Sequence, residues 1–409
     1  MTDAPPPKGC PVPRHEWTTG NGTTDFDHLR RDWDEHSLWT AYAELLERES
    51  VTHSGAHGGF WTVSRHADVK NALRDHETFS SAHGHRIPYV EAMGTIPIDF
   101  DPPAHGPYRD LLVQAVSPRR VRELEPFLQQ TISELVNKFV ERGGGDAVTE
   151  LALPLPLTVL TEIVGFSAST VATFRELTVA LWADGTAEGQ LRGREALTEV
   201  LTNEIRRHQR TQPDDYLSWL LGAQIDDRAI REDEVVSVLL SLAVAGHETT
   251  MNSVGSLLYL LATHQGDQSR LRADTSLAPG YVEEMLRLRT PAQAFARRTT
   301  RNVEIAGTTI QGGQWVLLLN AAANRDPRHF ENPDAFDVTR SARGHLAFGW
   351  GIHQCVGASL ARLELRIVLE QLCTHAAFVL DGEPTFSSLE AGTHYGPTHL
   401  PIRFTKETP

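Results

Sequence analysis

Phe348-Gly349-Trp350-Gly351-Ile352-His353-Gln354-Cys355-Val356-Gly357 is the stretch that decides how this chain is read. Gly349, Gly351 and Gly357 carry no Cβ, so the backbone can turn sharply and lie against a flat partner where a side chain would collide. The loop delivers Cys355 just before Ala358–Leu372, an Ala/Leu/Arg/Glu-rich stretch that predicts a helix. At a helix N-terminus, free N–H groups and the dipole favour thiolate over thiol. A thiolate on a haem iron pushes electron density onto the metal and favours O–O cleavage. Cys355 therefore reads as an iron ligand, with His353 placed to hydrogen-bond an acidic edge of the cofactor. The bland alternative makes Cys355 a small core residue and the glycines an ordinary turn, and only the match of the whole run weighs against it. Zinc would need more than the two ligands that His353 and Cys355 supply.

The run resembles the haem-binding signature F-G-x-G-x-H-x-C-x-G of the cytochrome P-450 family of haem-thiolate monooxygenases, and the resemblance extends from about Trp61 to Phe404. It implies a mainly α fold with a small β region, a single large haem domain over residues 21–409, and a flexible polar segment over residues 1–20. In that reading Cys355 is the metal ligand, and Phe348, Gly349, Gly357 and His353 contact the cofactor, heme b (iron protoporphyrin IX).

Composition agrees. The chain has 409 residues and 40% apolar content, enough for a core that buries about three quarters of the unfolded surface. Its formal charge of −15 argues against a nucleic-acid binder. Cys10, Cys355 and Cys373 form no disulfide framework, and Met1–Glu16 lacks the apolar core of a signal peptide. No stretch is apolar for long enough to span a bilayer. These features predict a cytoplasmic monomer. Apolar spacing predicts helices around Leu38–Arg48, Ala67–Arg74, Val121–Arg142, Leu157–Val164, Ala168–Trp182, Arg192–Gln209, Glu232–His264, Tyr281–Arg289 and Ala358–His375. It predicts strands at Phe60–Val63, Val303–Ile305, Trp315–Leu319 and Ile402–Phe404.

Ala245-Gly246-His247-Glu248-Thr249-Thr250 falls in mid-helix, where glycine costs roughly 1 kcal/mol relative to alanine and threonine hydroxyls compete for carbonyls. Small residues at Ala245 and Gly246 predict a groove that admits a diatomic. Glu248 beside Thr249 suits proton delivery, with Glu248 relaying protons from solvent. The run resembles the family's acid–alcohol pair.

Asp101-Pro102-Pro103-Ala104-His105-Gly106-Pro107-Tyr108-Arg109 sets His105 and Arg109 on one helical face, able to grip a carboxylate. Pro107 is compatible with a helix only in its first turn. The segment resembles the family's propionate-binding D-P-P-x-H-x-x-x-R, and Arg297 matches the next propionate-binding arginine. Glu284 and Arg287 match the family's E-x-x-R helix, whose network Arg325 is expected to complete; all three are structural.

By resemblance the substrate pocket is lined by His83–Val90, Thr178–Trp182, Ser241, Val244, Gln293, Phe295 and the turn at His394-Tyr395. Polar and aromatic groups there suit an aromatic, terpenoid or natural-product substrate, hydroxylated or oxidatively dealkylated with dioxygen as co-substrate. A chain of this length has no room for a flavin or iron–sulfur domain beside the haem domain. Electrons from NAD(P)H are thus expected through a ferredoxin reductase and a ferredoxin, which docks at Arg119, Arg120 or Arg122 with Arg362. A peroxide-driven or redox-neutral haem-thiolate enzyme and a non-catalytic haem sensor remain open alternatives.

Overall fold

The structure is a computed structural model that describes residues 22–30, 32–89, 95–183, 187–389 and 394–405. Helices dominate, and the longest, Glu232–Thr263, runs through the middle. Its 32 residues span about 48 Å. Three acids, Glu232, Asp233 and Glu234, open its first turn, where they favour the positive end of the dipole, and Glu234 accepts a hydrogen bond from the Arg231 backbone at 2.9 Å. Leucines and valines on every face bury most of this helix against the helices Pro154–Val164, Ala187–Thr211 and Ala278–Leu288. A helix apolar all round belongs in an interior.

The helices Pro118–Glu141 and Ala358–Leu372 pack against each other, and Leu128, Ile132, Val136, Leu365 and Val368 belong to the same core at 0% exposure. A six-stranded sheet lies to one side. Its order is Thr23–Thr24, Val51–Ser54, Phe60–Val63, Trp315–Leu318, Phe295–Thr299, Phe79–Ser80. Val316 stands opposite Trp61 in a parallel pairing and opposite Arg297 in an antiparallel one. Strand alternation therefore turns Arg297 into the protein while Arg298, bonded to the Gly313 carbonyl, stays half-exposed.

All the helices and strands expected from periodicity are present, with ends shifted by a few residues. The early helix starts at His105, so Pro107 does sit in its first turn. The hairpin Thr385–Leu389 with His394–His399 lies along the central helix. Among the described residues, no helix is long and apolar enough to cross a membrane.

Candidate active site

The cysteine loop closes on itself. Cys355 N–H donates to the Phe348 carbonyl at 2.9 Å, and Gln354 N–H to Gly351 at 3.1 Å. Arg109 donates to the Gln354 carbonyl at 2.7 Å. Gly349 and Gly351 have φ of +65° and +75°. The need for glycine at 351 differs from the expectation. A Cβ there would lie 2.5 Å from the Leu73 carbonyl oxygen, so the close partner is the backbone of the His66–Arg74 helix and not a macrocycle.

Cys355 is exposed, but only within a cleft whose walls desolvate it. Burial pushes the thiol above its usual value, while the Gly357 and Ala358 amides and the Arg109 and Arg362 cations pull it down. Arg362 lies 4.4 Å from the centre of the Phe348 ring and is held there by Glu283 at 2.6 Å. Amides and cations of this kind stabilise a thiolate ligand.

Within the buried central helix, Ala245 and Gly246 are exposed and Val244 and Thr249 are half-exposed. A Cβ on Gly246 would meet nothing within 4 Å. This small-residue opening in the buried middle of the helix matches the expected groove. Thr249 donates its hydroxyl to the Ala245 carbonyl at 2.8 Å. Glu248, in contrast, is 1% exposed and so has no direct route to solvent. Its Oε2 lies 3.0 Å from His394 Nδ1.

A cluster of two arginines and two imidazoles forms the third part. His105, Arg109, Arg297 and His353 act on one another electrostatically, with His85 close by. His353 is driven down to about 2 by burial and by these neighbours, and its Nε2 lies 3.1 Å from Ser81 Oγ. Arg297 is 3% exposed, and burial brings it down to about 10. Its guanidinium donates to the Ala296 carbonyl at 2.7 Å and makes no carboxylate ion pair among the described residues. His105 Nε2 is buried with no hydrogen-bond partner among the described residues. Asp101 joins the parts, since its carboxylate accepts from Ser80 and Ser81 and its carbonyl accepts the first N–H of the helix carrying His105. Two arginines beside two neutral imidazoles, one with an orphan nitrogen, fit a dianionic ligand edge. Together with a cleft-facing cysteine and a groove of small residues, the donor set fits a haem with two propionates. Cys355 would hold its iron, and His105, Arg109, Arg297 and His353 its propionates.

The expected structural residues need one correction. Arg287 grips Glu284 with two 2.8 Å bonds and also donates to the Asn324, Pro333 and Ala335 carbonyls. The second arginine on Glu284 is Arg340, at 3.2 Å, and not Arg325. Arg325 instead binds the Leu288 carbonyl and Asp334, with its guanidinium 4.0 Å from the Trp39 ring centre. No sequence signal marked Arg340.

The expected pocket lining divides. Phe295 is half-exposed beside His85, and Val244 adjoins the groove. Tyr395 is 2% exposed between Phe386 and Trp39, and belongs to the core. Ser241 donates to the Ile96 and Ser237 carbonyls and is likewise buried. Gln293 is sealed at 1% exposure and donates to the Thr290 carbonyl. Val90 lies outside the described residues, as do the side chains of Thr178–Trp182.

Comparison with known proteins agrees with this geometry. The family model for cytochrome P450 matches residues 185–384. Cytochrome P450 107B1 of Saccharopolyspora erythraea is 38% identical over 83% of this chain and 87% of its own length. The 6-deoxyerythronolide B hydroxylase of the same organism is 35% identical over 85% and 89%. The crystal structure of cytochrome P450 CYP101C1 superimposes with a TM-score of 0.86 at 27% identity, covering 97% of this chain and 100% of that one. On these relatives, the chain belongs to the cytochrome P450 family of haem-thiolate monooxygenases.

Proposed function

We propose that the protein oxygenates a small, largely apolar organic molecule of the aromatic, terpenoid or natural-product kind, with electrons passed from NAD(P)H by a ferredoxin reductase and a ferredoxin. The observation that carries this reading is the exposed Ala245–Gly246 groove beside the half-exposed Thr249 hydroxyl. When bound, haem supplies dioxygen activation. The chain's own residues do the rest. Cys355 would anchor the iron, Arg109 and Arg297 with His105 and His353 would hold the propionates, and Thr249 presents a hydroxyl whose proton is already directed to the Ala245 carbonyl. Glu248 holds a carboxyl one residue away for proton delivery. Val244 and Phe295 offer apolar surface to a substrate, which favours a molecule that is mostly hydrocarbon.

Electron delivery is supported by a concave surface lined by Val121, Arg122, Glu125, Glu283, Arg362 and Arg366 on the cysteine side. Ion pairing narrows the docking set that we propose. Arg119 and Arg120 both pair with Glu123 and Arg362 with Glu283, whereas Arg122 is an exposed arginine on the rim. An acidic ferredoxin meets Arg122 there, since Arg366 is paired with Glu125 and Glu370.

The test begins with the absorption spectrum of the dithionite-reduced protein under carbon monoxide, where thiolate ligation gives a far-red-shifted Soret band. Titration of the ferric protein with aromatic ethers, monoterpenoids and macrolide intermediates should then produce a low-to-high-spin shift for one class. Thr249→Ala should at least triple the hydrogen peroxide released per NADPH while that shift is retained. Unchanged peroxide release would remove Thr249 from the reaction.

A further inference from the structure

Glu248 is the acid of the proposed proton path, yet at 1% exposure it does not reach solvent. The way the chain packs around it identifies what holds it. Glu248, Asn252 and Gly255 are spaced one helical turn apart and form a single stripe on the central helix. The strand His394–His399 lies along this stripe in the same order. A Cβ on Gly396 would come within 2.4 Å of the Asn252 side chain, and a Cβ on Gly255 within 2.5 Å of the Pro397 ring. Two glycines thus let strand and helix approach more closely than side chains would permit. That approach brings His394 Nδ1 to 3.0 Å from Glu248 Oε2.

The backbone of this strand is pinned from the other side as well. His394 forms an isolated antiparallel bridge with Ala292, and Tyr395 N–H donates to the Pro291 carbonyl at 3.1 Å. His394 itself is 7% exposed, so the contact is screened from water and ions. The Pro291–Ala292 backbone leads directly into the strand that carries Phe295 and Arg297.

We propose that His394 is the positioning residue for Glu248. Its imidazole, with Nδ1 3.0 Å from Oε2, keeps the carboxyl on the hairpin-facing side of the helix, one residue from the Thr249 hydroxyl, when the acid gives up or regains a proton. This rests on the proposed role of Glu248. It adds a residue outside the helix motif and makes the C-terminal hairpin part of the proton apparatus. A buried carboxylate without this partner would turn toward any other polar group and deliver its proton with poor geometry.

The experiment uses the haem-loaded protein with a plant-type ferredoxin, its reductase, NADPH and 7-ethoxycoumarin as the probe. The readouts are peroxide released per NADPH and the solvent deuterium isotope effect on NADPH oxidation. His394→Leu should raise peroxide release by about the same factor as Glu248→Gln and enlarge the isotope effect. The double variant should leak no more than either single one, as expected for two residues acting as a unit. His394→Asn, whose amide nitrogen occupies the Nδ1 position, should stay within about twofold of the parent, and His394→Gln, whose donor lies one bond farther out, should not. The Asn and Gln pair also decides the matter if the Leu variant loses its haem. Parental peroxide release in His394→Leu and His394→Gln alongside a leaking Glu248→Gln would overturn the inference and leave the acid's role intact. A strictly additive double variant would overturn it too. Parental behaviour in Glu248→Gln itself would sink the acid's role, and the inference with it.

Discussion

Arg287 and Arg297 are both buried, at 0% and 3% exposure, yet the protein surrounds them differently. Arg287 meets a bidentate carboxylate and three backbone carbonyls, and its guanidinium carbon lies 5.2 Å from the Phe330 ring centre. Arg297 has one carbonyl and the more distant influence of Asp99 and Asp101. The first is a finished pin joining the Ala278–Leu288 helix to the segment 324–340. The second sits beside His105, Arg109 and His353 in a cluster that still has positive charge to spare. Burial alone does not distinguish structural from ligand-binding arginines. The count of oxygens facing each one does.

The largest effect expected from this contrast is on Arg287. Arg287→Ala leaves Glu284 buried with only Arg340 for a charged partner and should cost about 3–5 kcal/mol. Denaturant unfolding of the apoprotein would show it, and a loss under 1 kcal/mol would mean that the two arginines are alike. Arg297→Leu should do the opposite. Its apoprotein should unfold at the parental midpoint or above, while haem transfer to apomyoglobin becomes about ten to a hundred times more favourable, as for the loss of one charged hydrogen bond. Equal damage to apoprotein stability and haem retention would erase the distinction.

A smaller effect extends the comparison to an acid. Glu364, on the helix that follows Cys355, is 3% exposed, and burial raises its carboxyl to about 8. Its Oε2 has no hydrogen-bond partner among the described residues. The folded state therefore holds a proton that the unfolded chain releases near its ordinary value of 4.5. Stability from this group is complete below about 4.5, declines as pH rises, and is lost by about 8. Glu364→Gln should melt about 2 °C or more above the parent at pH 8 and together with it near pH 4.5, by thermal melts across that range.

The sequence carried much of this arrangement because the chemistry is local. Cys355, its glycines and the predicted helix lie within one short run, and Glu248 and Thr249 are adjacent. His105 and Arg109 share a helical face through spacing alone. What could not be read depended on contacts between distant segments. Arg340 replaces Arg325 on Glu284 because the chain after Pro333 folds back over the Ala278–Leu288 helix, a path that no periodicity encodes. His394 reaches Glu248 through a hairpin whose register against the helix is set by Gly396 and Gly255. Resemblance places Tyr395 beside the substrate, but strand alternation turns it the other way, into the aromatic core. Gly351 is read correctly as a glycine position, although the atom that excludes a side chain belongs to Leu73.

The two glycines that seat the hairpin also bear on how this protein could be altered. A library aimed at new substrates would naturally reach for the hairpin, because its neighbours Pro291 and Ala292 lead into the strand bearing Phe295. Any residue larger than glycine at 396 or 255 acts as a wedge that lifts the strand from the helix. Such a variant could keep its fold, its haem and its taste for substrate, and yet lose reducing equivalents through a displaced acid. Selection on binding alone would not see the fault. Selection on product formed per electron consumed would.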